Sequence, residues 1–242
     1  SGPYRNPFKL LRNRAMEGSP VKGGDWDSGP LWDLIERIHR VEGLERIRLG
    51  SLEPRIITRE FAEKLAGLPE FCPHFHLSLQ SGCDATLKRM NRHYTTEDYL
   101  RRCGILREIF DHPAITTDVI AGFPGETEEE FEETRRFLET VRFYEMHVFK
   151  YSKRQGTRAA VMEDQVPEQV KARRSDVLLE LEKTMSREYR ERFAGSRVSV
   201  LFEEAAEIGG KWYMMGHTPQ YVKAALPLED GMNREEFGGR IM

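Results

Sequence analysis

Thr116-Thr117-Asp118-Val119-Ile120-Ala121-Gly122-Phe123-Pro124-Gly125-Glu126-Thr127-Glu128-Glu129-Glu130-Phe131 reads as a buried strand, a glycine-rich turn and a capped helix start. Residues 114–121 are β-branched and nearly uncharged, the pattern of a parallel strand covered on both faces. Gly122 and Gly125 remove Cβ atoms where a ligand could approach the backbone. Thr127 with Glu130 three residues on is a capping box, which predicts a helix just beyond the turn. The free N–H groups of such a helix start favour an anionic group. The spacing alone fits an ordinary βα turn equally well.

The same alternation repeats on both sides of this unit. Leu31, Leu34, Ile35, Ile38 and Val41 form a helical stripe, capped by Ser28 and stopped by Gly43. A strand is predicted over 46–50, then a helix over 61–66 after Thr58. Phe75, Leu77 and Leu79 alternate along a strand ending at Gln80. Helices follow over 85–90 and 97–110, the second capped by Thr95 with Asp98, then a helix over 128–141 and a strand over 144–150. Alternating strands and helices predict a parallel sheet wound as a barrel or an open doubly wound sheet. A complete eight-unit barrel needs more chain, so the expectation is a partial barrel of four or five strands.

Beyond it the texture changes twice. Residues 166–193 read as one charged helix, with Pro167 in its first turn, an apolar edge of Val170, Val177, Leu178, Leu181 and Met185, and its Lys, Arg and Glu on a solvated face. From Gly195, short β-prone runs at 197–202, 212–215 and 221–226 predict a small antiparallel β-barrel. The resulting division is a tag and loop segment over 1–28, a partial α/β barrel over 29–165, a connecting helix over 166–193 and an all-β unit over 194–242. The basic residues of the first segment read as a solvated tail.

Composition sets bounds on function. Of 242 residues, 39% are hydrophobic and 10% aromatic, enough for a real core. A formal charge of −3 carries no basic signature for nucleic acid. Three cysteines make no disulfide scaffold, and no apolar run is long enough to cross a bilayer. A cytoplasmic protein with no membrane partner is expected. No general acid–base pair, Walker loop or nucleophile elbow is present, so no catalytic side chain and no metal-ligating set are assigned.

Ligands of parallel α/β sheets bind beyond the carboxyl ends of the strands. That rule selects Ser51 and Glu53, Gln80 and Ser81, Asp118 with Gly122, and Tyr151 with Ser152, all around one mouth. Gln80 and Ser81 offer uncharged hydrogen bonds suited to a ribose or an amino-acid end. Asp118 lies inside its strand, so it must meet a partner such as Arg48 or hold a ligand. Lys153, Arg154 and Arg158 flank Gly156-Thr157 in a basic loop that could meet RNA phosphate. Arg89, Arg92, His93 and Tyr94 make a similar cluster, suited to gripping an unpaired nucleotide.

Four stretches in order carry a resemblance: Arg48-Leu49-Gly50-Ser51-Leu52-Glu53-Pro54, His76-Leu77-Ser78-Leu79-Gln80-Ser81-Gly82-Cys83-Asp84, the 116–131 segment, and Tyr151-Ser152-Lys153-Arg154-Gln155-Gly156-Thr157. Together they resemble the radical S-adenosylmethionine methylthiotransferases, from about Leu31 to the C-terminus. Residues 51–54 and 88–96 favour the branch that modifies threonylcarbamoyladenosine in transfer RNA. The resemblance implies a six-stranded half-open radical-SAM-type barrel followed by a small all-β module of the TRAM type, an RNA-binding appendage. It implies S-adenosylmethionine in the mouth formed by Ser51, Glu53, Gln80, Ser81, Asp118, Gly122 and Tyr151, and transfer RNA against Arg92, Lys153, Arg154 and Arg158. It also implies [4Fe-4S] clusters, one held by a Cys-x-x-x-Cys-x-x-Cys loop. No such loop is present: Cys72, Cys83 and Cys103 are 11 and 20 positions apart and read as buried or neutral thiols. The expectation is a fragment without the cluster loop and N-terminal domain, unable by itself to perform the radical step. Two rivals remain: a sister methylthiotransferase acting on isopentenyladenosine or a ribosomal protein, and a non-catalytic RNA-binding scaffold.

Overall fold

A computed structural model describes residues 28–229 and 237–242; the tag and loop segment lies almost wholly outside them. Four strands, β1 (Ser51–Leu52), β2 (His74–Leu77), β3 (Ala114–Ala121) and β4 (Glu145–Lys150), form one sheet in the order β1-β2-β3-β4, all parallel. Helices α1 (Gly29–His39), α2 (Arg59–Ala66), α3 (Asp84–Arg89), α4 (Thr96–Ile109), α5 (Glu128–Val141) and α6 (Glu168–Glu191) accompany it. A second sheet, β5 (Leu201–Ile208), β6 (Lys211–His217) and β7 (Lys223–Pro227), is antiparallel, with one further bridge between Leu201 and Ile241.

Local sequence chemistry explains the helix starts. Thr95 with Asp98 and Thr127 with Glu130 both close complete capping boxes, and the Thr58 hydroxyl accepts the Phe61 N–H at 3.1 Å. Ser28 makes no side-chain cap bond to α1; its backbone is already helical, and Pro30 removes one N–H a cap would take. The strand predicted over 46–50 does not form as a ladder. Ile47 makes a single bridge to Phe71, and regular pairing starts at Ser51. Arg46 and Arg48 are drawn to the second sheet instead. Arg46 donates to the His217 carbonyl at 2.7 Å, and the Arg48 guanidinium sits 4.1 Å from the Tyr221 ring centre.

Strand alternation sorts side chains onto two faces. Phe75 and Leu77 on β2, and Ile115, Thr117, Val119 and Ala121 on β3, face the helices and are buried with Phe61, Leu65, Tyr99, Leu106 and Phe131. Tyr99 and Thr117 hydroxyls both donate to the Leu77 carbonyl, at 2.9 and 2.6 Å. The opposite face carries His74 and His76, Thr116 and Asp118, and Glu145 and His147, in register across three strands. This inner face is far more polar than the helix-facing one.

Two expectations for the C-terminal half need correction. Pro167 stands at the N-cap of α6 rather than inside its first turn, and the helix face is not wholly solvated. Arg174 is buried against Glu126, while Leu178 and Met185 of the expected apolar edge are buried as expected, with Tyr189 beside them. Likewise β5 runs on through Glu203, Glu204 and Glu207, residues whose charge hides the strand in the sequence.

His74 lies at the seam between the sheets, its ring 5.4 Å from that of Tyr221, with Nδ1 buried and without a hydrogen-bond partner among the described residues. Burial, then the charges of Arg48 and His76, push its pKa down to about 4. An unfolded chain takes up this proton near the ordinary value of 6.5 while the folded protein refuses it until about 4. Stability held at neutral pH is therefore lost as pH falls from about 6.5 toward 4, by about 3 kcal/mol for a shift of that size. Urea titrations of His74→Phe against the parent at pH 7 and pH 4.5 are expected to show a shallower acid loss in the variant. Equal loss in both would remove His74 as the cause.

Candidate functional site

The carboxyl ends of β3 and β4 open into a cavity of about 510 Å³ whose wall includes Gln80, Asp118, Ile120, Tyr151, Ser152 and Arg154. Gln80 sits at φ +73°, a left-handed conformation costly for a side chain with a Cβ. Two backbone bonds enforce it: Gln80 N–H donates to the Asp118 carbonyl and the Ile120 N–H donates to the Gln80 carbonyl, both at 2.9 Å. The segment after β2 is thereby clamped onto β3 at the mouth. Tyr151 follows β4, its N–H donating to the Ala121 carbonyl at 2.9 Å. Its hydroxyl is buried with no hydrogen-bond partner among the described residues, while its ring meets Phe123 edge-on at 5.4 Å and the Lys171 ammonium at 5.7 Å. A buried phenol without a partner is a group with bonding capacity to spare.

Among the described residues Asp118 meets no arginine. Its Oδ2 lies 3.3 Å from His76 Nε2, and its Oδ1 lies 3.2 Å from His147 Nδ1. The two imidazoles stack at 5.5 Å between centroids, and His76 Nδ1 lies 3.0 Å from the Thr116 hydroxyl. Neither histidine is among the residues the sequence reading selected. Strand parity holds the signal: His76, Thr116, Asp118 and His147 occupy inner-face positions of adjacent strands, which only the register brings together.

Other selected residues stand apart from this cavity wall. Ser51 is exposed at the start of β1, and Glu53 caps the short turn at Pro54–Ile56 while pairing with Arg55 at 2.7 Å. The buried Ser81 hydroxyl lies 3.2 Å from that of Thr134 and accepts the Cys83 N–H at 3.3 Å. Gly122, at φ +73°, donates its N–H to Glu126 Oε2 at 2.8 Å and lies beneath the Lys171 side chain. The chain's own carboxylates thus meet this turn, Glu126 at the Gly122 N–H and Glu130 at the Thr127 N–H of the helix start. Among the basic residues, Arg154 lines the mouth, while Lys153 and Arg158 are exposed beside it. Arg92 borders a separate cavity of about 540 Å³ with Arg55, Lys88, His93 and Tyr94.

All three cysteines are buried free thiols. Burial raises the pKa of Cys72 and Cys83, and pushes that of Cys103 up to about 12, so the neutral form is favoured. Among the described residues, the group of metal-ligating side chains that comes together is His76, Asp118 and His147, with no cysteine in it.

Residues 21–138 match the family model described as the radical SAM superfamily. The chain is 42% identical over 185 residues to a tRNA-2-methylthio-N(6)-dimethylallyladenosine synthase of Acetivibrio thermocellus, covering 76% of this chain and 38% of that protein. It is 44% identical over 194 residues to the threonylcarbamoyladenosine tRNA methylthiotransferase MtaB of Bacillus subtilis, covering 80% and 43%. The protein of that name in Thermotoga maritima is 41% identical over 198 residues, covering 80% and 44%. The chain therefore spans about two fifths of the length of these curated relatives. Among solved structures, coproporphyrinogen III oxidase (HemN), a radical SAM enzyme of Escherichia coli, superposes with a TM-score of 0.52 at 19% identity, covering 64% of this chain and 36% of that one. That likeness is one of fold.

Proposed function

The chain belongs to the radical SAM superfamily and is homologous to tRNA methylthiotransferases, and from that premise we propose that it is the partial barrel and TRAM-like portion of an enzyme inserting a methylthio group at C2 of N6-threonylcarbamoyladenosine 37 of transfer RNA. The observation that carries the reading is the match to relatives of that name over four fifths of the chain. Relatives named for dimethylallyladenosine match at similar identity, so that nucleoside is the second reading. The work is assigned to the cytoplasm, where transfer RNA is modified; no helix among the described residues is long and apolar enough to cross a membrane.

S-adenosylmethionine is assigned to the mouth, where bound cofactor would supply the radical chemistry and the methyl group. The residues present fit it. Gln80 offers an amide, Asp118 a carboxylate, and Tyr151 a hydroxyl with no partner among the described residues. Ser51, Glu53, Ser81 and Gly122 are assigned to shaping the strand ends around it. Iron–sulfur clusters do not fit the thiols of this chain, which are buried, neutral and scattered, so their ligands would have to come from outside these 242 residues. Transfer RNA is assigned to Lys153, Arg154 and Arg158 at the rim and to Arg92 beside the second cavity, where cationic side chains meet phosphate. Residues 194–242 are assigned as a TRAM-like RNA-binding unit, with the half-exposed Trp212 as stacking surface.

Mass spectrometry of transfer RNA nucleosides, with and without the full-length gene, tests the reading. Complete and selective loss of 2-methylthio-threonylcarbamoyladenosine is expected on deletion. Loss of the methylthio-dimethylallyl nucleoside instead would move the substrate to the second reading. Persistence of both in a strain without a redundant enzyme would overturn the transfer RNA assignment.

A further inference from the structure

We propose that His76, Asp118 and His147 form a binding site for a divalent first-row transition metal of the zinc or iron(II) class. The site shares Asp118 with the mouth assigned to the cofactor, but it does not rest on that assignment, because it is defined by geometry the chain holds by itself.

Three adjacent parallel strands build it. Asp118 on β3 is the register partner of His147 on β4, and Thr116, two residues before Asp118 on the same face, is the partner of His76 on β2. Two imidazoles and a carboxylate therefore converge on the inner face without any loop. Their ligand atoms all lie within 4.8 Å of one another. His76 Nε2 stands 3.3 Å from Oδ2 and His147 Nδ1 3.2 Å from Oδ1, so the carboxylate bridges the two imidazoles with one oxygen toward each and can meet a cation through either oxygen or both. The wider gap between the imidazoles closes by rotation of His147, whose side chain is 58% exposed and has room to turn. Two histidines and one carboxylate leave at least one coordination position open, on the side of the cavity that Asp118 lines.

The surroundings favour a cation. His76 Nδ1 is within hydrogen-bond distance of the Thr116 hydroxyl, so the tautomer that donates from Nδ1 leaves the Nε2 lone pair for a metal, the arrangement in which an outer partner orients a ligand. Glu145, two residues before His147 on the same face of β4, places a further carboxyl on that side of the sheet. Nitrogen ligands select against magnesium and calcium, which take oxygen.

The test uses the untagged chain with cobalt(II) as a spectroscopic probe and zinc(II) in calorimetry. One equivalent is expected to bind, with the visible bands of a low-coordinate cobalt site. His147→Ala and Asp118→Asn should each weaken binding on the order of a hundredfold or more, and Thr116→Val by roughly ten- to a hundredfold. His112→Ala, at an exposed histidine outside the group, should leave it unchanged. Circular dichroism and metal-free melting of each variant separate a lost site from a lost fold, and His147, being exposed, is the variant least able to disturb the core. Absence of cobalt bands in the parent, or equal affinity in the His147 and Asp118 variants, would overturn the site. Loss of metal binding in His147→Ala with S-adenosylmethionine binding retained by the full-length protein would separate the metal from the cofactor reading.

Discussion

Replacing Arg174 with methionine is expected to destabilise the fold by about 3–5 kcal/mol at pH 8, because it leaves the buried Glu126 carboxylate without its counter-charge. Arg174 on α6 is 3% exposed and Glu126 in the turn after β3 is 5% exposed. One guanidinium nitrogen donates to Glu126 Oε2 at 2.7 Å and to the Glu126 carbonyl at 3.1 Å, and the other donates to Glu128 Oε2 at 3.1 Å. The same Oε2 of Glu126 accepts the Gly122 N–H, so one ion pair fastens α6 to the whole glycine turn. Burial raises the Glu126 pKa, while the Gly122 N–H and Arg174 lower it. Without Arg174 two lowering influences vanish and the folded-state value rises further above the unfolded one. The penalty for holding an ionised carboxylate is then absent below about pH 4.5, grows as pH rises through the folded value, and levels off above it. The deficit of Arg174→Met should accordingly shrink between pH 8 and pH 5. Adding Glu126→Gln should recover much of it, since removing both charges avoids the orphan. Urea unfolding at the two pH values checks this; a deficit below 1 kcal/mol, or one independent of pH, would sink the account.

The glycine turn and its helix were legible in the sequence because their determinants are local. A threonine and an acid three residues apart fix a helix start whatever surrounds them, and both capping boxes formed. Elements whose fate is decided at long range were not legible. Arg46 and Arg48 read as part of a strand until the second sheet, far along the chain, supplies the His217 carbonyl and the Tyr221 ring. Arg174 reads as one solvated charge among many on α6, since its partner lies 48 residues away. The inner-face group is the strongest case. His76, Asp118 and His147 sit on three separate strands, and a shift of one residue in either register would turn a member to the helices. Asp118 was visible as a buried acid needing a partner; that the partners are imidazoles follows from pairing alone. Gln80 and Tyr151 could be placed at the mouth by the rule of strand ends, while the burial of Ser81 against Thr134 depends on where α5 lands.

Replacing Gly216 with alanine is expected to cost about 3 kcal/mol or more and to unfasten the second sheet from the barrel. Gly216 pairs with Phe202 on β5, beside the point where the register shifts between Phe202 and Glu204. A methyl group there would overlap the Leu201 carbonyl oxygen and stand 2.8 Å from both the Leu201 carbonyl carbon and Val200 Cγ1. The obstacle is backbone in a paired strand, so no rotamer change relieves it, and glycine is the residue that permits a close approach at such a bulge. Its neighbour His217 carries the seam: its carbonyl accepts Arg46, and its ring stacks on Tyr221 at 4.2 Å and 9°. Displacing β6 therefore loosens both the sheet and its hold on the barrel. Hydrogen exchange should show lost protection across 201–227 with α4, α5 and β3 still protected, together with a lower melting temperature. Uniform loss of protection would mean that the two sheets unfold as one unit. An unchanged exchange pattern and melting temperature would show that β5 can yield to a methyl group, and that the bulge rather than the glycine sets the geometry.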